Sequence, residues 1–170
     1  MLHVFTNKGI VDLEYCKDKL LQLDLMEIER EMKKKSKLRL YNVIKEDRDV
    51  EKYVKLNMLP SERSLLPQLR MGILPLRIET GRFIKLKPEE RICQLCNSKK
   101  VEDELHFLFD CKAYDKERKI FVSEMCKIVA NFKTMSYSNR LKLCCAQEPR
   151  KLAKYICKVF EKRKELQYKS

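Results

Sequence analysis

The feature that most constrains this chain is Cys93-Gln-Leu-Cys96, followed after nine residues by His106 and after four more by Cys111. A two-residue gap lets both sulfurs of a Cys-x-x-Cys turn reach one ion. Tetrahedral zinc takes thiolate sulfur at about 2.3 Å and imidazole nitrogen at about 2.0–2.1 Å. Four soft or borderline donors within nineteen residues therefore point to one zinc site held by Cys93, Cys96, His106 and Cys111. With all four positions filled by protein, such a site is structural, since a catalytic one keeps a place open for water. The competing reading is a cluster of buried thiols. The chain has eight cysteines, and free cysteine is often buried, but that reading leaves His106 unexplained. Val101-Glu-Asp-Glu-Leu-His-Phe-Leu-Phe109 can bring the second ligand pair in as a short helix. Val101, Leu105, Leu108 and Phe109 would face inward, with three acids in the first turn, where the dipole favours them.

A chain of 170 residues can bury a real core as one domain, or as a small domain with helical extensions. Three glycines and five prolines, among long runs of Leu, Lys, Glu, Arg and Met, predict a mainly α class: a helical domain with the small zinc knuckle in its middle. No run of about 18 uncharged apolar residues and no signal-peptide core occur. The expectation is no membrane partner and an intracellular protein, nuclear or cytoplasmic, whose cysteines stay reduced or bind metal.

Three segments follow. Residues 1–59 form an N-terminal helical segment. Asp12 is a good N-cap, and Leu13, Leu20, Leu21, Leu25, Ile28 and Met32 recur at helical spacing to about Lys34. The basic run Lys33, Lys34, Lys35 and Lys37 reads equally as a solvated helix end or as a phosphate contact. Leu38 to Ile44 form a second apolar block, and Val50 to Leu56 a short third helix. Residues 60–114 hold an arginine-containing helix and the knuckle. Ser64 is the expected cap, Pro67 falls in the first turn, and Gly72 and Pro75 end the helix. Arg63, Arg70, Arg77 and Arg82 recur along this stretch, either as phosphate contacts or as solvated or carboxylate-paired side chains. Thr80 to Phe83 make a turn toward the knuckle, with Pro88 in the linker.

Residues 115–170 read as C-terminal helices. Asp115 caps one with Ile120, Phe121, Met125, Ile128, Val129 and Phe132 on a broad apolar face. Cys144 and Cys145 lack a second pair at ligand spacing and read as core thiols. From Pro149 a last helix buries Leu152, Tyr155, Ile156, Val159 and Phe160, while Lys151, Lys154, Lys158 and Lys162 share the opposite face.

Charge placement decides what this chemistry can touch. The net charge is +13. Residues 30–45 hold seven Lys/Arg against one acid and residues 150–170 eight against two, each +6, while residues 84–120 hold nine basic against eight acidic, only +1. Phosphate affinity would then sit on the flanks. Tyr41, Tyr53, Phe83, Tyr114, Tyr155 and Tyr168 lie near basic groups, but no motif assigns them to base stacking.

One stretch carries a family likeness: Arg63-Ser-Leu-Leu, Gln68-Leu-Arg70, Gly72-Ile-Leu-Pro-Leu76, Ile78-Glu-Thr-Gly-Arg-Phe83, Arg91-Ile-Cys93, Cys96, Val101-Glu-Asp-Glu104, His106-Phe107, Cys111 and Tyr114. It resembles the segment downstream of the polymerase in LINE-type non-LTR retrotransposon reverse transcriptases, a zinc-binding-in-reverse-transcriptase type tail. The likeness covers about residues 36–121. It implies a Cys-Cys-His-Cys zinc element at Cys93, Cys96, His106 and Cys111 that helps a polymerase engage RNA or DNA. It also implies a reverse transcriptase polyprotein as a partner. The chain has no Tyr-x-Asp-Asp, so the expectation is a detached C-terminal piece starting at an internal Met. With two histidines and no glycine-rich phosphate loop or nucleophile elbow, no enzyme is expected. The functions left open are a nucleic-acid-binding module, a protein-interaction module, or a retroelement relic.

Overall fold

The computed structural model describes residues 3–6, 9–45 and 50–168. Its elements are two short strands, β1 (His3–Thr6) and β2 (Gly9–Asp12), then helices α1 (Leu13–Lys34), α2 (Arg39–Ile44), α3 (Pro60–Arg70), α4 (Arg77–Thr80), α5 (Asp115–Cys126), α6 (Tyr137–Gln147) and α7 (Pro149–Gln167). The strands pair antiparallel with His3 opposite Asp12, a small hairpin within the segment expected to be helical. The rest is helical, as the scarcity of glycine and proline predicted. Among the described residues no helix is long and apolar enough to cross a membrane.

Asp12 caps α1 as its position predicts, its carboxylate accepting from the Glu14 and Tyr15 amides at 2.9 and 3.3 Å. The stripe on α1 does not do what its periodicity suggests. No described residue of this 22-residue helix is buried, and Leu20, Leu21 and Ile28 stand exposed. The segment after Val50 forms only a 3-10 turn, Lys52–Lys55.

Helix α3 begins four residues before the expected cap, with Pro60 at its start, where a missing amide hydrogen costs little. Ser64 is inside the helix, its hydroxyl donating to the Ser61 carbonyl at 3.1 Å. Pro67 is consequently interior rather than in the first turn, and it has no N–H to offer the Arg63 carbonyl. Gly72 ends the segment at φ 63°, a left-handed conformation that suits glycine. An added Cβ would also meet the Lys37 carbonyl oxygen at 3.0 Å.

One core joins all three segments. Leu40 and Ile44 of α2, Leu66 and Leu69 of α3, Phe107, Leu108 and Tyr114 beside the knuckle, Phe121 and Met125 of α5, Leu141 of α6, and Leu152, Ile156 and Val159 of α7 belong to the same buried cluster. The apolar face expected of α5 divides. Phe121 and Met125 are buried, Ile120 and Ile128 are exposed, and Phe132 reaches the core from a separate 3-10 turn. The long α7 runs through the centre. Its Tyr155 stacks on Phe121 with centroids 4.3 Å apart, and Phe160 lies 5.0 Å from Phe107. The Tyr155 hydroxyl donates to the Leu108 carbonyl at 2.6 Å, which ties the knuckle to the C-terminal helix. Cys144 and Cys145 are core thiols of α6, pushed up in pKa mainly by burial.

Candidate metal centre

The knuckle is a small antiparallel loop. Ile92 bridges Val101, the Cys93 amide donates to the Lys100 carbonyl at 2.8 Å, and the Glu102 amide donates to the Arg91 carbonyl at 2.9 Å. Lys99, at φ 55°, takes the left-handed conformation that closes it. Val101 thus belongs to this loop, and the following helix is shorter than the sequence suggested. Asp103 begins it by accepting the His106 amide at 2.7 Å. A π turn, His106–Asp110, then widens the coil, closed by the Cys111 amide on the His106 carbonyl at 2.8 Å. The wide turn lets Phe107, Leu108 and Phe109 enter the core while His106 and Cys111 face the Cys-x-x-Cys turn.

Cys93, Cys96, His106 and Cys111 converge. Their donor atoms all lie within 4.8 Å of one another. Cys93 Sγ and Cys111 Sγ are 3.8 Å apart, and Cys96 Sγ is 3.4 Å from His106 Nε2. Tetrahedral coordination with metal–sulfur bonds of about 2.3 Å and metal–nitrogen bonds of about 2.05 Å requires sulfurs about 3.8 Å apart and sulfur to nitrogen about 3.6 Å. The two closest pairs match those separations, and the four donors together could hold one metal ion. His106 turns its other nitrogen, Nδ1, to Asp110 Oδ2 at 3.1 Å, and Lys100 Nζ holds the same oxygen at 2.8 Å. This carboxylate fixes the ring so that Nε2 points at the sulfurs, the usual outer support of a metal-bound histidine. A hydrogen bond from Lys100 holds the Asp110 carboxyl below its ordinary range.

Protonation of the cluster follows from its crowding. The hydrogen bond with Cys111 draws the Cys93 thiol down to about 3, and the same contact, with burial, pushes Cys111 well up. For His106, burial opposes the charge, but hydrogen bonds to Cys93 and Asp110 outweigh it and raise the ring to about 9. A cation entering the site must displace the Cys111 and His106 protons.

The acids near the knuckle are where the sequence misleads. Glu102 and Glu104 were expected in a first helical turn, stabilised by the dipole, yet they are 2% and 1% exposed and paired with arginines. Arg163 of α7 grips Glu102 with both terminal nitrogens, the second at 3.1 Å, and also reaches the Tyr114 hydroxyl at 3.2 Å. Glu102 accepts the Arg77 amide at 2.8 Å and lies 3.7 Å from Cys93 Sγ. Arg39 holds Glu104, its Nη2 2.6 and 2.7 Å from the two carboxylate oxygens. Arg118 pins the Cys111 carbonyl and pairs with Asp115. Arg39, Arg118 and Arg163 were not singled out in the sequence. Their only signal there is a basic residue on an otherwise apolar helical face, as Arg163 continues the Ile156, Val159 side of α7.

The basic residues named as phosphate contacts are dispersed. Arg70 is buried, paired with Glu51 and 5.6 Å from the centre of the Tyr41 ring. Arg63 donates to the Val54 and Leu56 carbonyls at 2.8 Å each. Arg77 is half-buried, and Arg82 pairs with Glu79 at 3.0 Å, as does Lys37 at 3.2 Å. Lys34 pairs with Glu31, Lys151 with Glu148 and Lys162 with Glu165. Lys33, Lys35, Lys154 and Lys158 are exposed. The arginines therefore mostly brace the fold, and the lysines hold the accessible charge.

Fold and site together define a helical domain with a Cys3His cluster that could hold a metal ion. No family model matches the chain, and neither a curated protein nor a solved structure does.

Proposed function

We propose that this chain is a non-catalytic, zinc-stabilised module that binds RNA or DNA through phosphate contacts. This is the role implied by its resemblance to the tail of a LINE-type reverse transcriptase. Three cysteine sulfurs and one imidazole converging on one point suit zinc better than the hard cations, which select oxygen. The zinc is structural, cross-linking the Cys-x-x-Cys loop to the π turn.

The supporting observation is how the knuckle region divides its charge. By sequence, residues 84–120 are nearly neutral, but several of their acids are turned inward. The exposed residues there include seven lysines (Lys85, Lys87, Lys99, Lys100, Lys112, Lys116 and Lys119) and three acids (Glu89, Glu90 and Asp115). The surface beside the metal site is therefore basic, and it adds to Lys154 and Lys158 on α7. Lysines of this kind neutralise phosphates and release counterions.

The test is binding of labelled RNA and DNA over a salt series. Affinity falling steeply with salt and varying little with sequence supports the reading, and a slope near zero contradicts it. A second reading, a protein-interaction module whose partner is the rest of a polymerase, draws on α1, where Leu20, Leu21, Leu23, Met26 and Ile28 are exposed. A flat salt series would favour it.

A further inference from the structure

Of the six aromatic residues near basic groups, the structure withdraws four. Tyr114 and Tyr155 are buried, and Tyr41 and Tyr53 are half-buried. Tyr168 is exposed at the end of α7. Phe83 is different, because it is 80% exposed on a loop that the fold braces from below.

That loop, residues 81–87, follows α4. The Phe83 amide donates to the Thr80 carbonyl at 3.2 Å, Lys85 to Arg82 at 3.1 Å, and Leu86 to Gly81 at 3.0 Å. Arg91 reaches under it, donating from Nε and Nη2 to the Leu86 carbonyl at 3.1 and 2.7 Å and from Nη1 to the Ile78 carbonyl at 2.7 Å. Gly81 permits this closeness, since an added Cβ would lie 2.7 Å from Arg91 Cγ and 2.8 Å from the Arg77 carbonyl oxygen. Lys85 adopts φ 56°, turning the chain sharply just after Phe83-Ile84. A loop pinned this firmly fixes a large apolar ring in water, where it forgoes roughly 1.5–3 kcal/mol of burial.

Resting on the nucleic-acid reading above, we infer that the Phe83 loop is a stacking platform for an unpaired base of single-stranded RNA or DNA, with Lys85 and Lys87 on the adjoining phosphates. Both lysines are exposed, two and four residues after Phe83 on the same loop. One aromatic face is all a base requires, and such stacking tolerates any sequence. Phe83 and Ile84 alone offer too little surface for a stable protein interface, which buries about 1,200–2,000 Å². In a duplex the bases are already stacked, so the platform discriminates between single and double strands.

The chain contains no tryptophan, so Phe83→Trp installs a single tryptophan at the tip, which can be excited apart from the tyrosines. The expected result is quenching of that tryptophan by oligo-dT, with Phe83→Ala losing about tenfold in affinity for oligo-dT and less than about twofold for a duplex of equal length. Circular dichroism checks that Phe83→Ala retains the fold. If the unsubstituted protein binds oligo-dT with the expected salt dependence while Phe83→Ala binds equally well and Phe83→Trp is unquenched, the platform is refuted and the functional reading stands. If the unsubstituted protein binds neither strand form at low salt, the functional reading fails and the platform with it. A blue shift of Phe83→Trp on phosphatidylserine vesicles, without quenching by oligo-dT, would assign the tip to lipid and overturn the inference.

Discussion

Glu102 serves two structures at once. Its Oε1 meets both the Cys93 sulfur and Arg163, while its Oε2 accepts from Arg163 and from the Arg77 amide. A buried carboxylate is unfavourable unless a cation offsets it, and Arg163, 9% exposed, supplies that cation from α7. Arg163→Ala leaves the Glu102 charge uncompensated and should destabilise the protein by about 3–5 kcal/mol. The double variant Arg163→Met/Glu102→Gln, which removes both charges, should recover much of that in denaturant melts. Equal losses for the single and double variants would show that the pair is not coupled. Proton competition at the cluster gives a second expectation. His106, raised to about 9, is protonated at neutral pH when no metal is present, and so is Cys111. Metal affinity should therefore rise with pH by at least about tenfold per unit between roughly pH 6 and 8, as measured by competition with a chromophoric chelator. A pH-independent affinity would mean that these two side chains are not ligands.

Helix α3 carries a defect that its packing tolerates. With Pro67 inside the helix, the hydrogen bond to the Arg63 carbonyl is missing, a site where alanine would restore it. Pro67→Ala should raise stability by about 1–2 kcal/mol, less than the full cost of an interior proline because proline also restrains the unfolded chain. A lower melting temperature would show that the half-buried ring packs better than expected. Ser64 followed by Pro67 imitates a helix start, while the true start at Pro60 lacks a side-chain cap. Element α1 shows the opposite pattern. Its cap and its extent to Lys34 were legible because both are local properties. The fate of its apolar stripe was not, because periodicity says that a face exists and not that anything covers it. Removing residues 1–35 should accordingly shift the melting temperature of the remainder by only a few degrees. A large loss would show that α1 supports the core.

At the scale of the whole molecule, the fold is one helical core into which a metal knuckle is tied from three directions. Arg163 and Tyr155 reach it from α7, Arg39 from α2 and Arg118 from α5. The ligand set and the α class were readable, because metal spacing and helix-forming composition are properties of short stretches. The three long-range ties, from Arg163, Tyr155 and Arg39, were not. Glu102, for example, meets Arg163 across 61 residues, and nothing local distinguishes it from a solvated acid. If the cluster holds zinc as proposed, the ion contributes on the order of 10 kcal/mol at neutral pH, and Cys93→Ser or a strong chelator should unfold the middle of the chain, visible as lost helical circular dichroism. The most direct test is elemental analysis of the purified protein. The account predicts one zinc per chain, retained through dialysis and lost in Cys93→Ser. A folded, metal-free protein with an unchanged melting curve after chelation would contradict it.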